Sequence, residues 1–304
     1  MAESGRITVI LNGLAGRART PEAIEALKAR FARTGARVTI DLVLEPRDLA
    51  ARAREAARRG DVIVAAGGDG TVSALAAVAV ETGATLGVLP LGTLNHFAKE
   101  LGFPQDLDAA VDALVDGERR QVDVGEVNDR IFINNASVGI YPRLVWEREA
   151  EQRRGRSKGV AFAIAMLRTW RNYRTVVARL AVKDAGAIVR TPFVFVGNNE
   201  YKAEGFELGG RTTLDAGRLS IFLAPDCGRF EFLTLPFRAL AKRLRTDAAF
   251  AAFTAQTLTV DVHSPRVNVA RDGEIEMMRS PLVYRIRPRA LRVIGPSAGR
   301  AAAR

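Results

Sequence analysis

The sequence is poor in the residues that staple small folds or hold soft metals. A single cysteine, Cys227, in 304 residues excludes an internal disulfide framework and a Cys-rich zinc site. Two histidines, His96 and His263, are too few for a multi-histidine metal centre. Long apolar runs are missing as well. The least polar tract, Val62 to Leu91, is interrupted by Asp69, Glu81 and several glycines, whereas a membrane span needs about 20 mostly apolar residues. Met1 to Gly5 carries no basic region ahead of an apolar one, so no signal peptide is expected. These absences point to a soluble, cytoplasmic chain in a reducing compartment, at most lying against the inner face of a membrane. Negative charge is the scarcer sign: 45 Lys+Arg against 34 Asp+Glu leave a formal net charge of +11. That excess suits an anionic partner such as a nucleotide or an anionic lipid surface. A solvated basic surface explains it as well as a nucleic-acid patch does, and no nucleic-acid partner is expected.

What is present has a regular grammar in the first third. Ile7–Leu11, Val38–Leu44, Asp61–Ala66 and Thr85–Leu89 read as strands. Between them Pro21–Thr34, Arg47–Arg59 and Thr71–Glu81 read as helices. Alternation of this kind implies a parallel sheet covered on both faces. Near residue 122 the pattern changes to a hairpin around Asn128-Asp129 and then to a long helical stretch from Arg143 to Tyr173. Strand-like runs follow at Thr175–Lys183, Ile188–Val196, Leu219–Leu223, Thr257–Val262 and Arg266–Ala270, with a helix from Arg229 to Leu244 among them. The fold class is therefore α/β, with an N-terminal parallel-sheet domain over residues 1–122 and a β-rich domain over 123–287. The tail from about 288 to 304 is expected to pack back on the first domain.

Two glycine loops carry the chemistry of the first domain. Gly67-Gly68-Asp69-Gly70-Thr71 lies directly between a buried strand and a helix. That arrangement exposes backbone N–H groups and a positive helix end to phosphate, and glycine lets the backbone approach an anion closely. Asp69 is unwelcome beside a phosphate unless a cation intervenes, so its natural role is to hold Mg²⁺ or to position the reacting group. The bland alternative is a glycine turn in which Asp69 and Thr71 cap the helix. The second loop, Leu91-Gly92-Thr93-Leu94-Asn95-His96, follows the next strand and so opens on the same sheet edge, where ligands of such sheets bind. Gly92, Thr93 and Asn95 supply backbone, hydroxyl and amide groups for phosphate or ribose. In the second domain Asp272-Gly273-Glu274 follows a strand. Alone it reads as a hairpin turn with a solvated carboxylate; in a phosphotransferase either carboxylate suits a base that takes a hydroxyl proton.

These motifs in this order resemble the diacylglycerol kinase catalytic-domain family, which includes bacterial lipid kinases and sphingosine kinases. The resemblance spans nearly the whole chain. Asn12 and Gly16 match the family's first nucleotide-contacting loop, Gly67 to Thr71 its GGDGT, Gly92 to Lys99 its G-T-x-N-D-F-A-R, and Asp272 to Glu274 its D-G-E. It implies an ATP-dependent lipid kinase that uses Mg²⁺ and serves phospholipid biosynthesis, with diacylglycerol as the default acceptor. It also implies a C-terminal β-sandwich-like domain, a site in the cleft between the domains, and a lipid substrate met at a membrane surface. Whether the chain is a monomer or a homodimer is left open. On this reading Asn12, Gly16, Gly67, Gly68, Asp69, Gly70, Thr71, Gly92, Thr93 and Asn95 bind nucleotide, and Asp69, Asp272 and Glu274 are catalytic.

The sequence departs from the family in several places. Gly13 and Ala15 replace the first loop's Pro and Ser, Ser73-Ala74 replaces an Asn-Glu pair, and His96 stands where the second loop has Asp. The family's D-D-G-L segment, a structural Mg²⁺ site in some members, appears as Asp215-Ala216-Gly217-Arg218. Asp215 alone makes a weak metal site. Two other readings compete. An NAD kinase would carry N-E-x-x-D, but Asn199-Glu200 is followed by Tyr201, Lys202 and Ala203. A non-catalytic lipid- or nucleotide-binding relic accommodates the lost carboxylates but not the intact GGDGT and D-G-E. The stretch Tyr141 to Tyr173, with Trp146, Trp170 and the basic tract Arg153 to Lys158, reads as a core-packed helix with a solvated basic face. The other reading is a helix lying on an anionic membrane. His263 reads as structural, and Cys227 has no base beside it.

Overall fold

The computed structural model describes residues 6–14, 20–140, 147, 151, 154–171, 175–182, 185–204, 207–211, 213–223 and 251–297. Gly16, Trp146, Cys227 and the helix expected over Arg229–Leu244 lie outside the described residues. The chain divides into two compact units: Met1–Val124 with Pro288–Arg304, and Gly125–Arg287. No helix among the described residues is long and apolar enough to cross a membrane.

The first unit runs β1 (Ile7–Asn12), α1 (Pro21–Thr34), β2 (Val38–Val43), a short 3₁₀ turn at Pro46–Asp48, α2 (Leu49–Arg58), β3 (Val62–Gly67), α3 (Asp69–Thr82) and β4 (Thr85–Pro90). It continues through two helices absent from the sequence reading, α4 (His96–Glu100) and α5 (Leu107–Val115), into β5 (Glu118–Val127). Helix α1 begins where the chain predicts, with Pro21 in the first turn and the Thr20 hydroxyl accepting from Ala23 N at 3.3 Å. It buries Leu27 and Phe31, one helical turn apart. The strands are parallel in the order β2-β1-β3-β4. Every residue of β3 and β4 is buried, as central strands covered on both faces require. Asp61, just before β3, is buried beneath Arg6, Thr8 and Arg59, which bond it at 2.7, 2.8 and 3.1 Å.

The second unit holds β6 (Arg130–Phe132), β7 (Asn135–Gly139), α6 (Lys158–Arg171), β8 (Val176–Val182), β9 (Ala185–Thr191), β10 (Phe193–Asn198), β11 (Tyr201–Glu204) and β12 (Glu207–Arg211). After these come β13 (Leu219–Leu223), β14 (Ala251–Ala255), β15 (Thr257–Val262), β16 (Arg266–Arg271), β17 (Glu274–Arg279) and β18 (Leu282–Gly295). One antiparallel sheet has the order β14-β13-β10-β7-β16-β17. Facing strands β9, β8, β15 and the first residues of β18 form a second antiparallel layer. Val138, Val194, Val196 and Ile221 from the first layer share one core with Leu180, Leu258, Val260 and Tyr284 from the second. This is the β-sandwich-like domain expected from the sequence, after a parallel α/β domain. The last residues of β18 return to the first unit, where Arg292 and Val293 pair in parallel with Thr85 and Leu86 of β4.

One reading of the sequence needs correction. Ile188–Val196 is not one strand: Pro192 separates β9 from β10, which belong to different sheets, and proline cannot continue a ladder as a donor. Among the described residues of α6, Ala161 and Ala165 are buried, while Val160 and Leu167 are about half exposed. Arg154 and Arg156, just ahead of α6, and Arg168 on it pair with the buried Glu151 while 61%, 45% and 43% of their side-chain surface stays exposed, and Arg168 also pairs with Glu147.

Candidate functional site

In the first unit three loops leave one edge of the parallel sheet. Leu11 pairs with Ala66, and Gly67 with Pro90, so the ends of β1, β3 and β4 are neighbours. Helix α3 starts at Asp69 behind Gly68, which is extended (φ −90°, ψ −176°) and offers no side chain to cap the helix. The first-turn N–H groups therefore keep their capacity for an external acceptor.

The glycines here are spacing devices. A Cβ on Gly67 would stand 2.5 Å from Thr71 Oγ1. A Cβ on Gly92 would stand 2.5 Å from Gly68 Cα and 2.8 Å from Asn95 Oδ1. The two glycine loops thus touch backbone to backbone, and Leu91 N donates to Gly67 O at 3.1 Å.

The polar residues of these loops divide into builders and available groups. Asn12 Nδ2 donates to Thr71 Oγ1 at 2.9 Å, and its Oδ1 accepts from Leu14 N at 3.0 Å, tying the first loop to α3. Asn95 adopts left-handed backbone (φ 52°). Its amide accepts from Gly92 N at 2.9 Å and donates to Gly92 O at 3.0 Å. It also reaches Gln105 Oε1 at 3.2 Å, so it braces the loop and has little left for a ligand. Thr71 is buried, Gly70 is half-buried, and Thr93 and His96 are exposed. Asp69 stands apart: its Oδ1 is buried and among the described residues has no hydrogen-bond partner. An orphaned carboxylate oxygen in the first turn of a helix is costly unless a ligand completes it.

In the second unit Asp272 and Gly273 form the tight turn between β16 and β17, both with positive φ (48° and 89°), as a two-residue hairpin requires. The Asp272 carboxylate is not solvated. Oδ2 accepts from Ile133 N at 2.9 Å, and Oδ1 accepts from Asn134 N and Asn135 N at 2.8 and 3.2 Å. Asp272 N donates back to Asn135 O at 2.9 Å. Glu274, paired in register with Arg271, is exposed and among the described residues makes no hydrogen bond or ion pair. The structure thus separates the two carboxylates: Asp272 holds the loop before β7, and Glu274 has an available carboxylate.

The same loop is gripped from its other side by residues to which the sequence reading gave no part in bracing it. Asn198 Nδ2 and Arg211 Nη1 donate to Ile133 O at 2.9 and 2.6 Å. Tyr201 Oη donates to Asn134 O at 2.9 Å, and Arg211 Nη2 to Asn134 Oδ1 at 3.3 Å. Asn199, fully buried with φ 66°, accepts the Ser220 hydroxyl on its carbonyl at 2.7 Å. The available signal was the pair of doublets Asn134-Asn135 and Asn198-Asn199, each set at a strand end. Asp215 is exposed and bonded to the Thr213 hydroxyl, and the neighbouring Arg218 pairs with Glu200 at 3.4 Å. Among the described residues no three His, Cys, Asp or Glu cluster as metal ligands would.

Comparison with known proteins matches both parts of the chain to described domains. Residues 6–127 match the diacylglycerol kinase catalytic domain, and residues 137–295 the YegS C-terminal NAD kinase beta sandwich-like domain. A probable lipid kinase YegS-like from Chromohalobacter salexigens is 33% identical over 72% of this chain and 71% of its own length. A diacylglycerol kinase from Mycobacterium tuberculosis is 29% identical over 98% of this chain and 97% of its own. The crystal structure of a putative diacylglycerol kinase from Bacillus anthracis superposes with a TM-score of 0.76 at 23% identity, covering 97% of this chain and 96% of that one.

Proposed function

This chain belongs to the diacylglycerol kinase catalytic-domain family, and on that premise we propose that it transfers the γ-phosphoryl group of ATP to the hydroxyl of a membrane lipid, diacylglycerol first among the candidates. The observation that carries the reading is Asp69. It places a buried oxygen, without a hydrogen-bond partner among the described residues, at the head of α3 beside Gly67 and Gly92, where a Cβ would stand 2.5 Å from a neighbouring atom. Residues of this kind fit a nucleotide phosphate chain with its divalent cation. Asp69 would hold Mg²⁺, which when bound would supply charge neutralisation for the phosphates. The chain's own groups do the rest. The uncapped N–H groups of α3 and the backbone around Gly68 and Gly92 receive phosphate oxygens. Glu274 accepts the proton of the lipid hydroxyl as its oxygen bonds to the γ-phosphorus, and the bond to the β–γ bridging oxygen breaks to leave ADP. Asp272 positions that carboxylate by fixing the turn and the loop before β7.

The test is transfer of labelled γ-phosphate from ATP into lipids presented in mixed micelles, with wild type, Asp69→Asn and Glu274→Gln in parallel. A labelled lipid made by wild type and lost in both variants is the expected result. Labelling of NAD in place of lipid, or undiminished transfer by both variants, would overturn the reading. MgATP is expected to raise the melting temperature of wild type and not that of Asp69→Asn.

A further inference from the structure

Strands β16 and β17 present a face whose composition the phosphoryl-transfer chemistry does not explain. Opposed residues of an antiparallel pair project to the same side. The register Arg266↔Arg279, Asn268↔Met277 and Ala270↔Ile275 therefore puts these six on one face. Val267, Val269 and Met278 belong to the other, which packs into the core. On the first face Met277 is 64% and Ile275 41% exposed, on a strand that ends its sheet.

Arg266 and Arg279 stand directly opposite each other, both exposed. Among the described residues neither side chain makes a hydrogen bond or an ion pair. Like charges directly opposed on neighbouring strands destabilise a sheet, and an anion between them reverses that sign. A groove of about 610 Å³ opens at this end, lined by Ser264, Pro265, Arg266, Arg279 and Ser280. Both serine hydroxyls are engaged inside the protein, Ser264 with Arg266 O at 2.7 Å and Ser280 with Asp261 Oδ1 at 3.0 Å. The cationic character of the groove thus comes from the two guanidinium groups. Planar guanidinium forks match the oxygens of a phosphodiester.

We propose that this face docks the protein on an anionic phospholipid bilayer. Arg266 and Arg279 take headgroup phosphates, and Ile275 and Met277 enter the boundary between headgroups and acyl chains. Cations beside exposed apolar side chains are the composition that binds such an interface. Arg279 lies five residues from Glu274, roughly 17 Å along the strand. The arginine end of the surface is therefore separate from the carboxylate assigned to the transfer step, while one strand carries both. Its biological sense rests on the lipid kinase reading, but its test does not.

The test is co-sedimentation of the full chain with vesicles of phosphatidylcholine alone or with about one third phosphatidylglycerol, at low and high salt. Wild type is expected to partition onto the anionic vesicles and to leave them as salt screens the attraction. Arg266→Ala with Arg279→Ala is expected to weaken partitioning roughly 30-fold, about fivefold per arginine. Met277→Ser is expected to weaken it further without altering the salt dependence. Equal partitioning of wild type and the double arginine variant, both folded by their melting curves, would overturn the proposal. So would a wild type that ignores anionic vesicles at low salt, or a wild-type dimer that dissociates in the arginine variant, which would make a second copy the occupant. Vesicle binding without lipid phosphorylation would leave this surface standing and remove the kinase reading instead.

Discussion

The glycine loops of the first unit and the Asp-Gly turn of the second reach order by opposite means. At Gly67 and Gly92 the geometry depends on side chains that are missing, because a Cβ at either would stand 2.5 Å from a neighbouring atom, Thr71 Oγ1 at Gly67 and Gly68 Cα at Gly92. At residues 133–135 it depends on side chains that are present: Asp272, Asn198, Tyr201 and Arg211 hold both the N–H and the C=O groups of one short loop. The lesson concerns what each region leaves available. The glycine loops leave backbone donors and one orphaned carboxylate, Asp69. The braced loop leaves Glu274, whose neighbour Asp272 is wholly engaged. Phosphate binding needs the former kind of surface, and a positioned base needs the latter.

The sharpest way to break this contrast is to exchange the roles of the two second-unit carboxylates. Glu274→Gln is expected to reduce lipid phosphorylation by about 10²- to 10⁴-fold, the range of a general base, with an unchanged melting curve. Asp272→Ala leaves three N–H groups without their acceptor and is expected to cost about 3 kcal/mol of stability in urea denaturation. If Asp272→Ala unfolds no more easily than wild type while Glu274→Gln stays active, the assignment is reversed.

Next in size is the backbone contact of the first unit. Gly92→Ala drives a methyl group against Gly68 Cα, an atom that cannot rotate away. About 2 kcal/mol of destabilisation is expected, together with loss of the thermal shift produced by MgATP. Gly68→Ala meets its nearest atom, Gly92 Cα, at an ordinary 3.5 Å and serves as the mild control.

How far the sequence discloses these regions follows from the same contrast. Glycine identity is itself a record of close backbone approach, so both phosphate loops are legible as motifs, as is the alternation that builds the parallel sheet. Asp-Gly is legible as a turn, but the function of Asp272 depends on N–H groups 137 to 139 residues earlier in the chain, and no local pattern encodes that. Asn198 and Arg211 are hidden for the same reason. The break at Pro192 is concealed because both flanking runs are apolar and β-branched, one strand as plausible as two. Helix α6 shows periodicity without direction. Its composition marks it as a packed helix, yet among its described residues the small Ala161 and Ala165 are buried while the larger Val160 and Leu167 are about half exposed.

A smaller effect tests whether ionic bracing exists in the first unit at all. It does, and its buried example is Asp61, just ahead of β3 and away from the glycine loops. Burial works against the charge of Asp61, yet the bonds from Arg6, Thr8 and Arg59 outweigh it and hold the carboxyl below its ordinary value. A carboxyl depressed in the folded state adds stability above its unfolded pKa of about 3.9 and loses it as pH falls through the folded value. Asp61→Asn is therefore expected to cost about 1.5 kcal/mol near neutrality, because two of its partners are half exposed. It is also expected to flatten the acid limb of the stability curve below about pH 4. A variant whose acid limb matches that of wild type would remove Asp61 from the account.

The smallest predicted effect turns the contrast inward, onto two tyrosines of the second unit. Tyr201 belongs to the braced loop, its hydroxyl donating to Asn134 O at 2.9 Å. Tyr284 lies in the sandwich core with no exposed surface and a hydroxyl that has no hydrogen-bond partner among the described residues, and burial pushes its phenol well above the ordinary value. Removing a hydroxyl that is bonded should cost about 1 kcal/mol, whereas removing one that was desolvated without a partner should return a similar amount. Tyr201→Phe and Tyr284→Phe are thus expected to shift urea midpoints in opposite directions from the same chemical change. Bracing is then a property of the loop before β7 and not of the whole sandwich. If Tyr284→Phe instead destabilises the protein, its hydroxyl has a partner such as a buried water, and polar bracing extends through the core.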